Sequence, residues 1–209
     1  AGDTHTYALS GTDADSFEVV GGELKLKDSV SADYETKSSY AVTVTATDSG
    51  NLTTAQAFTV TVNDVNDAPT GIALSATAVN NNSTGVVVGT LSTTDVDAGD
   101  SHTYSLSGAD ASSFEIVSGE LKLKDSVTAD YETKSSYAVT VTATDSGNLN
   151  TAQALTVTVN DVNDAPTAIT LSATAINENA TGAMVGTLST TDVDAGDTHT
   201  YALSGTDAD

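Results

Sequence analysis

Tyr137-Ala138-Val139-Thr140-Val141-Thr142-Ala143 alternates without a break, with Tyr137, Val139, Val141 and Ala143 on one side and small or hydroxylated residues on the other. Side chains of a strand point alternately to its two faces, so this stretch predicts a strand with one face in a core and one in water. Working outward, residues 154–159 alternate likewise, with Leu155, Val157 and Val159 inward. Phe114-Glu115-Ile116-Val117 and Glu120-Leu121-Lys122-Leu123 flank Ser118-Gly119, the pattern of a hairpin around a glycine turn. Strands are also expected over 72–78, 85–91 and 102–106, which brings about seven into 97 residues. Threonine and valine dominate, and no segment sustains a 3.6-residue period. The expected fold class is all-β, with tandem antiparallel Greek-key sandwiches of about seven strands per module.

The same alternating run occurs earlier, from Tyr40 to Ala46, at an offset of 97 residues. Between residues 1–67 and 98–164, 58 of 67 positions are identical, and 195–209 repeat 1–15 without a change. So long a period marks a string of similar modules. Pro69 and Pro166, the only two prolines, each follow the same punctuation: Asp64-Val65-Asn66-Asp67-Ala68 and its copy from Asp161 to Ala165. Proline fixes its own φ and keeps its predecessor extended, so boundaries are expected at 67/68 and 164/165. Residues 1–67 then supply the C-terminal two-thirds of a module, 68–164 a complete one, and 165–209 the N-terminal part of another. The first piece lacks the strands that the last contains. The two ends are expected either to complement one another head-to-tail between chains or to mark an arbitrary cut through the repeat.

Twenty-nine carboxylates face six lysines and no arginine, a net charge of −23. With no basic patch to displace counterions from phosphate, nucleic acid is excluded as a partner. No apolar stretch approaches the ~18 residues of a membrane span, so no membrane insertion is expected of this segment. There is no cysteine, hence neither a disulfide nor a thiolate metal site. No enzymatic activity is expected. His5, His102 and His199 occupy one equivalent position in three copies, with no second histidine at hand. No Ser–His–Asp arrangement, nucleophile elbow or phosphate loop is present. A glycosidase carboxylate pair would sit in an aromatic-lined cleft, whereas aromatics make up 5% of this chain.

The carboxylates come in short groups: Asp33-Tyr34-Glu35, Ala46-Thr47-Asp48-Ser49-Gly50, the Asp64–Ala68 punctuation, and Asp95-Val96-Asp97, each returning one period later. Two carboxylates in D-x-D spacing at a strand end are expected to point the same way. Ca²⁺ takes six to eight oxygens in forgiving geometry, which short aspartates in turns at strand ends can supply, whereas Mg²⁺ demands a stricter octahedron. In their order these motifs resemble cadherin repeats, and in particular the cadherin-like tandem repeats of very large secreted bacterial adhesins, including RTX-type extender regions. The resemblance covers the whole chain.

It implies Ca²⁺ as cofactor, held at the joints between modules. At the first joint it implies Asp33 and Glu35 from upstream. The connector adds Asp64, Asn66 and Asp67, with carbonyls near Val65 and Ala68. Asp95, Asp97 and Asp145 come from downstream, with Asp100 in the loop that follows D-x-D. The second joint would use Asp130, Glu132, Asp161, Asn163, Asp164, carbonyls near Val162 and Ala165, and Asp192, Asp194 and Asp197. Asp48 would serve a joint whose D-x-D pair precedes residue 1. The family also places a glutamate early in each module: Glu178 stands there in the third, but Asn81 in the second, which implies a weakened or missing ion. Asp13, Asp28, Asp110 and Asp125 are expected to cap turns instead.

The function these features imply is that of a calcium-rigidified extender in a bacterial cell-surface adhesin. Neighbouring repeats would be its partners, and it would project a distal ligand-binding domain outside the cell. The other reading is a calcium-dependent binding module for polysaccharide or for homophilic adhesion. A chain without tryptophan lacks the usual aromatic platform for that.

Overall fold

The computed structural model describes residues 4–206. Contacts divide the chain into two units. One gathers the described residues up to Thr70 with Thr94–His102 and Thr144–Asn150; the other holds Gly71–Thr93, Thr103–Ala143 and the described residues from Thr151 onward.

In the first unit, β1 (Thr6–Ser10), β4 (Ser39–Thr47) and β5 (Thr53–Thr61) form an antiparallel sheet in the order β1-β4-β5. β2 (Phe17–Val20) and β3 (Glu23–Leu26) form a separate hairpin. A small core gathers Phe17, Tyr40 and Val42, with Leu9, Leu26, Val60 and Val62 against it.

The second unit contains β6 (Gly71–Leu74), β7 (Ala78–Asn80), β8 (Val87–Thr94), β9 (Thr103–Ser107), β10 (Phe114–Val117), β11 (Glu120–Leu123), β12 (Ser136–Thr144) and β13 (Asn150–Asn160). They make two four-stranded sheets, β10-β11-β8-β6 and β7-β13-β12-β9. The face of β12 expected to be buried is buried: Tyr137, Val139, Val141 and Ala143 are at most 6% exposed. Val157 and Val159 of β13 are buried and Leu155 is half-buried, as the alternation requires. Phe114 meets Tyr137 edge-to-face at 5.4 Å, the arrangement that the ring quadrupoles favour. A final hairpin, β14 (Ala168–Leu171) with β15 (Leu188–Thr191), leaves Ile169 and Leu188 exposed.

One feature departs from the sequence reading. The strand expected over 72–78 is two strands in different sheets, and the second, β7, runs parallel to β13 with Val79 opposite Val159. The chain changes sheets at residues 75–77 because Gly89 leaves room for it. A Cβ on Gly89 would lie 2.7 Å from the Ala76 nitrogen. Ser75 Oγ accepts the Thr90 N–H at 2.8 Å and pins the crossing. The hairpin at Ser118-Gly119 has φ of 51° and 80°, the left-handed pair that a two-residue turn between twisted strands requires.

Sequence identity does not bring equal burial. Leu121 is fully buried, whereas Leu24, one period earlier, is 38% exposed. In the second unit β8 pairs with β11 through Leu121 opposite Gly89 and closes the sandwich. Among the described residues, β3 pairs with β2 alone.

Candidate metal centres

β5 and β13 each run out into an acidic connector; the loop after β8 brings further carboxylates to the first connector, and the loop after β15 to the second. In the first unit this produces two gathered groups. Glu35, Asp64 and Asp97 each bring one oxygen within 4.8 Å of the others, and so do Asp95, Asp100 and Asp145. In the second unit Glu132, Asp161 and Asp194 repeat the first of these groups.

The D-x-D pair splits between groups. β8 ends at Thr94, so Asp95 already lies beyond the pleat and the alternation no longer governs it. The Asp97 N–H donates to Asp95 Oδ1 at 3.2 Å, and this turn sends the two carboxylates to different neighbours. Asp97 Oδ2 in turn accepts the Asp67 N–H at 2.7 Å, tying the connector to the rim. Asp164 and Asp194 repeat that contact in the second unit.

Asp95, Asp100 and Asp145 form the most enclosed group. Asp145, 5% exposed, accepts the Leu149 N–H on Oδ1 and the Asn66 amide on Oδ2 at 3.0 Å. Asp100 Oδ1 accepts the Ser146 hydroxyl at 2.6 Å. Asp100 Oδ2 is buried and has no hydrogen-bond partner among the described residues. A buried anionic oxygen without a donor is costly, and two further carboxylates beside it make it more so. Three hard oxygen donors gathered in this way could hold a divalent cation such as Ca²⁺. His102 Nε2 lies 2.8 Å from Asp95 Oδ2 and holds that carboxyl below its usual range; His199 does the same for Asp192.

Glu35 shows the reverse. Its own backbone N–H lowers its pKa, but burial and the charges of Asp64, Asp97 and Asp67 outweigh that and raise it. A carboxyl pushed up by its neighbours marks accumulated negative charge. Four of the six lysines are paired elsewhere: Lys25 with Glu18 and Asp28, Lys37 with Asp13, Lys122 with Glu115 and Asp125, Lys134 with Asp110. These pairs occupy Asp13, Asp28, Asp110 and Asp125. The Ala41 and Ala138 N–H groups complete Asp13 and Asp110.

Several expected ligands stand outside the three groups. Asp33 and Asp130 turn inward on their own loops, where Asp33 accepts the N–H and hydroxyl of Thr36, and Asp130 those of Thr133. Asp48 accepts the Gly50 and Leu52 N–H groups. Asp67, Val65 and Ala68 line one cavity with Glu35; Asn163 and Asp197 line another with Glu132, Asp161 and Asp194. Ala165 borders a third, near Asp164 and Asn81. Asn163 donates to the Asp164 carbonyl, while Val162 and Glu178 are exposed. Sequence reasoning missed the pairing of His102 and His199 with the D-x-D aspartates. The signal was the constant spacing of seven residues, Asp95 to His102 and Asp192 to His199.

The two four-stranded sheets form a β-sandwich similar to those of protocadherin extracellular domains. Residues 75–160 match the family model of the cadherin domain. Human cadherin-related family member 2 is 33% identical over 167 residues, covering 71% of this chain and 13% of the relative. The chain thus spans 13% of the length of that curated relative. Extracellular cadherin domains 3–6 of protocadherin gamma B2 superpose with a TM-score of 0.67 at 27% identity, covering 92% of this chain and 49% of theirs. EC1–2 of human protocadherin-24 superpose at 0.61 and 27% identity, covering 78% and 84%. Cadherin domains are extracellular modules of a structural and adhesive family, not an enzymatic one, and typically bind Ca²⁺. Among the described residues no helix is long and apolar enough to cross a membrane.

Proposed function

We propose that this chain is a calcium-rigidified extender of a bacterial cell-surface adhesin, with module boundaries at 67/68 and 164/165. It would set the distance between the cell and a distal ligand-binding domain. The observation that carries the reading is the donorless, buried Asp100 Oδ2 beside Asp95 and Asp145. One ion there would draw on Asp95, Asp100 and Asp145, and a second on Glu35, Asp64 and Asp97. Bound Ca²⁺ supplies charge compensation and no chemistry. The residues supply the stiffness, because the ligands come from the connector and from loops on either side of it. The near-identity of the repeats suits a part whose copies all do the same job. Small-angle scattering of the chain in millimolar calcium is expected to show a stiff rod, and after EGTA a broader distribution of dimensions. Identical profiles in the two conditions would refute the extender.

The proposed head-to-tail pairing finds support in the exposed apolar residues of the first unit, Tyr7, Leu24 and Phe58. Residues 185–191 repeat residues 88–94, which belong to the strand that covers Leu121. In this arrangement residues 184–187 of one chain, the counterparts of 87–90, would cover β3 of the next. Light scattering at rising concentration is expected to show mass growing beyond the monomer, and a constant monomer mass would rule the pairing out.

A further inference from the structure

Asn81 is 6% exposed, and both ends of its amide are engaged. Oδ1 accepts the backbone N–H groups of Asn82 and Tyr131, each at 3.0 Å. Nδ2 donates to Glu132 Oε2 at 3.2 Å and to Asp164 Oδ2 at 2.9 Å. Asn82 adds a second amide on Asp164 Oδ1 at 2.9 Å. The two backbone donors decide which way the Asn81 amide faces. Turned over, its NH₂ would meet two N–H groups and all four hydrogen bonds would be lost. The positive end of the amide is thereby locked toward two carboxylates, where a cation would otherwise sit. A divalent ion entering between Glu132 and Asp164 would meet amide protons in place of a lone pair. One period later the same position is Glu178, so the repeat itself shows what a carboxylate version looks like.

We infer, resting on the calcium reading above, that Asn81 closes one cation position: its amide takes the place of an ion between Glu132 and Asp164. This corner is then held together without metal. The group of Glu132, Asp161 and Asp194 lies beside this corner. The residue at position 81 thus sets how many ions the second acidic rim takes.

The test counts calcium bound to the 209-residue chain by equilibrium dialysis, comparing wild type with Asn81→Asp and Asn81→Glu. Asn81→Asp keeps the shape and exchanges the donor for a charge; Asn81→Glu copies Glu178. Each variant is expected to bind one ion more per chain than wild type. In EGTA each is expected to melt at a lower temperature, because a third carboxylate then faces Glu132 and Asp164 unopposed. A variant that folds only once calcium is added supports the inference equally. Equal ion counts in wild type and variants, or failure of both variants to fold in millimolar calcium, overturn it. A wild-type chain that takes up no calcium overturns the extender's calcium reading and this inference with it.

Discussion

Asp145→Asn is expected to weaken calcium binding at the first acidic rim by at least the 10–100-fold that loss of an outer partner costs a metal site. The amide oxygen can still accept the Leu149 N–H, so the loop survives while the charge is lost. A site held at about 100 times its Kd contributes about 2.7 kcal/mol through mass action, and a 10–100-fold weaker site forfeits about 1–2 kcal/mol of that. In EGTA the mass-action contribution is absent. Asp145→Asn then relieves the crowding with Asp95 and Asp100 at the cost of the Asn66 hydrogen bond, so the deficit in melting temperature seen in calcium should shrink. Calcium titration by calorimetry, with melting curves in calcium and in EGTA, reads both effects. Superimposable titrations would remove Asp145 from the site.

Leu121→Ala is expected to destabilise the second unit by about 2–5 kcal/mol, the range for truncating a core leucine. Against a total of about 5–15 kcal/mol for a domain, that is a large fraction. Leu24→Ala, in the same local sequence, should cost about 1 kcal/mol, since Leu24 is 38% exposed and has less burial to lose. Differential scanning calorimetry of dilute chain compares the two. Equal costs would show that Leu24 is covered in solution, and a rise of the Leu24→Ala cost with concentration would assign that cover to a second copy.

Much of this was legible in the residues. Alternation at 137–143 was enough to predict β12 and its buried face, because the period of two is a property of the strand backbone. The 97-residue repeat was enough to place the same acidic motifs once in each period. The split of 72–78 into β6 and β7 was not legible, because it depends on Gly89 lying opposite Ala76, a contact between strands that neither stretch announces. Nor was the parting of Asp95 from Asp97. The D-x-D spacing predicts a shared direction only while the strand continues, and β8 stops at Thr94.

The sequence by itself determined the period, the strand content, the sign and clustering of the charge, and the chemistry that such carboxylates can hold. Those are properties of single residues and of their spacing. Tertiary structure alone decided which acids meet. It turned Asp33 and Asp130 back onto their own loops, left Asp100 Oδ2 without a donor, and set Asn81 between Glu132 and Asp164. The physical reason is that a carboxylate's role depends on the donors and charges within a few ångströms of it, and residues dozens of positions away supply them.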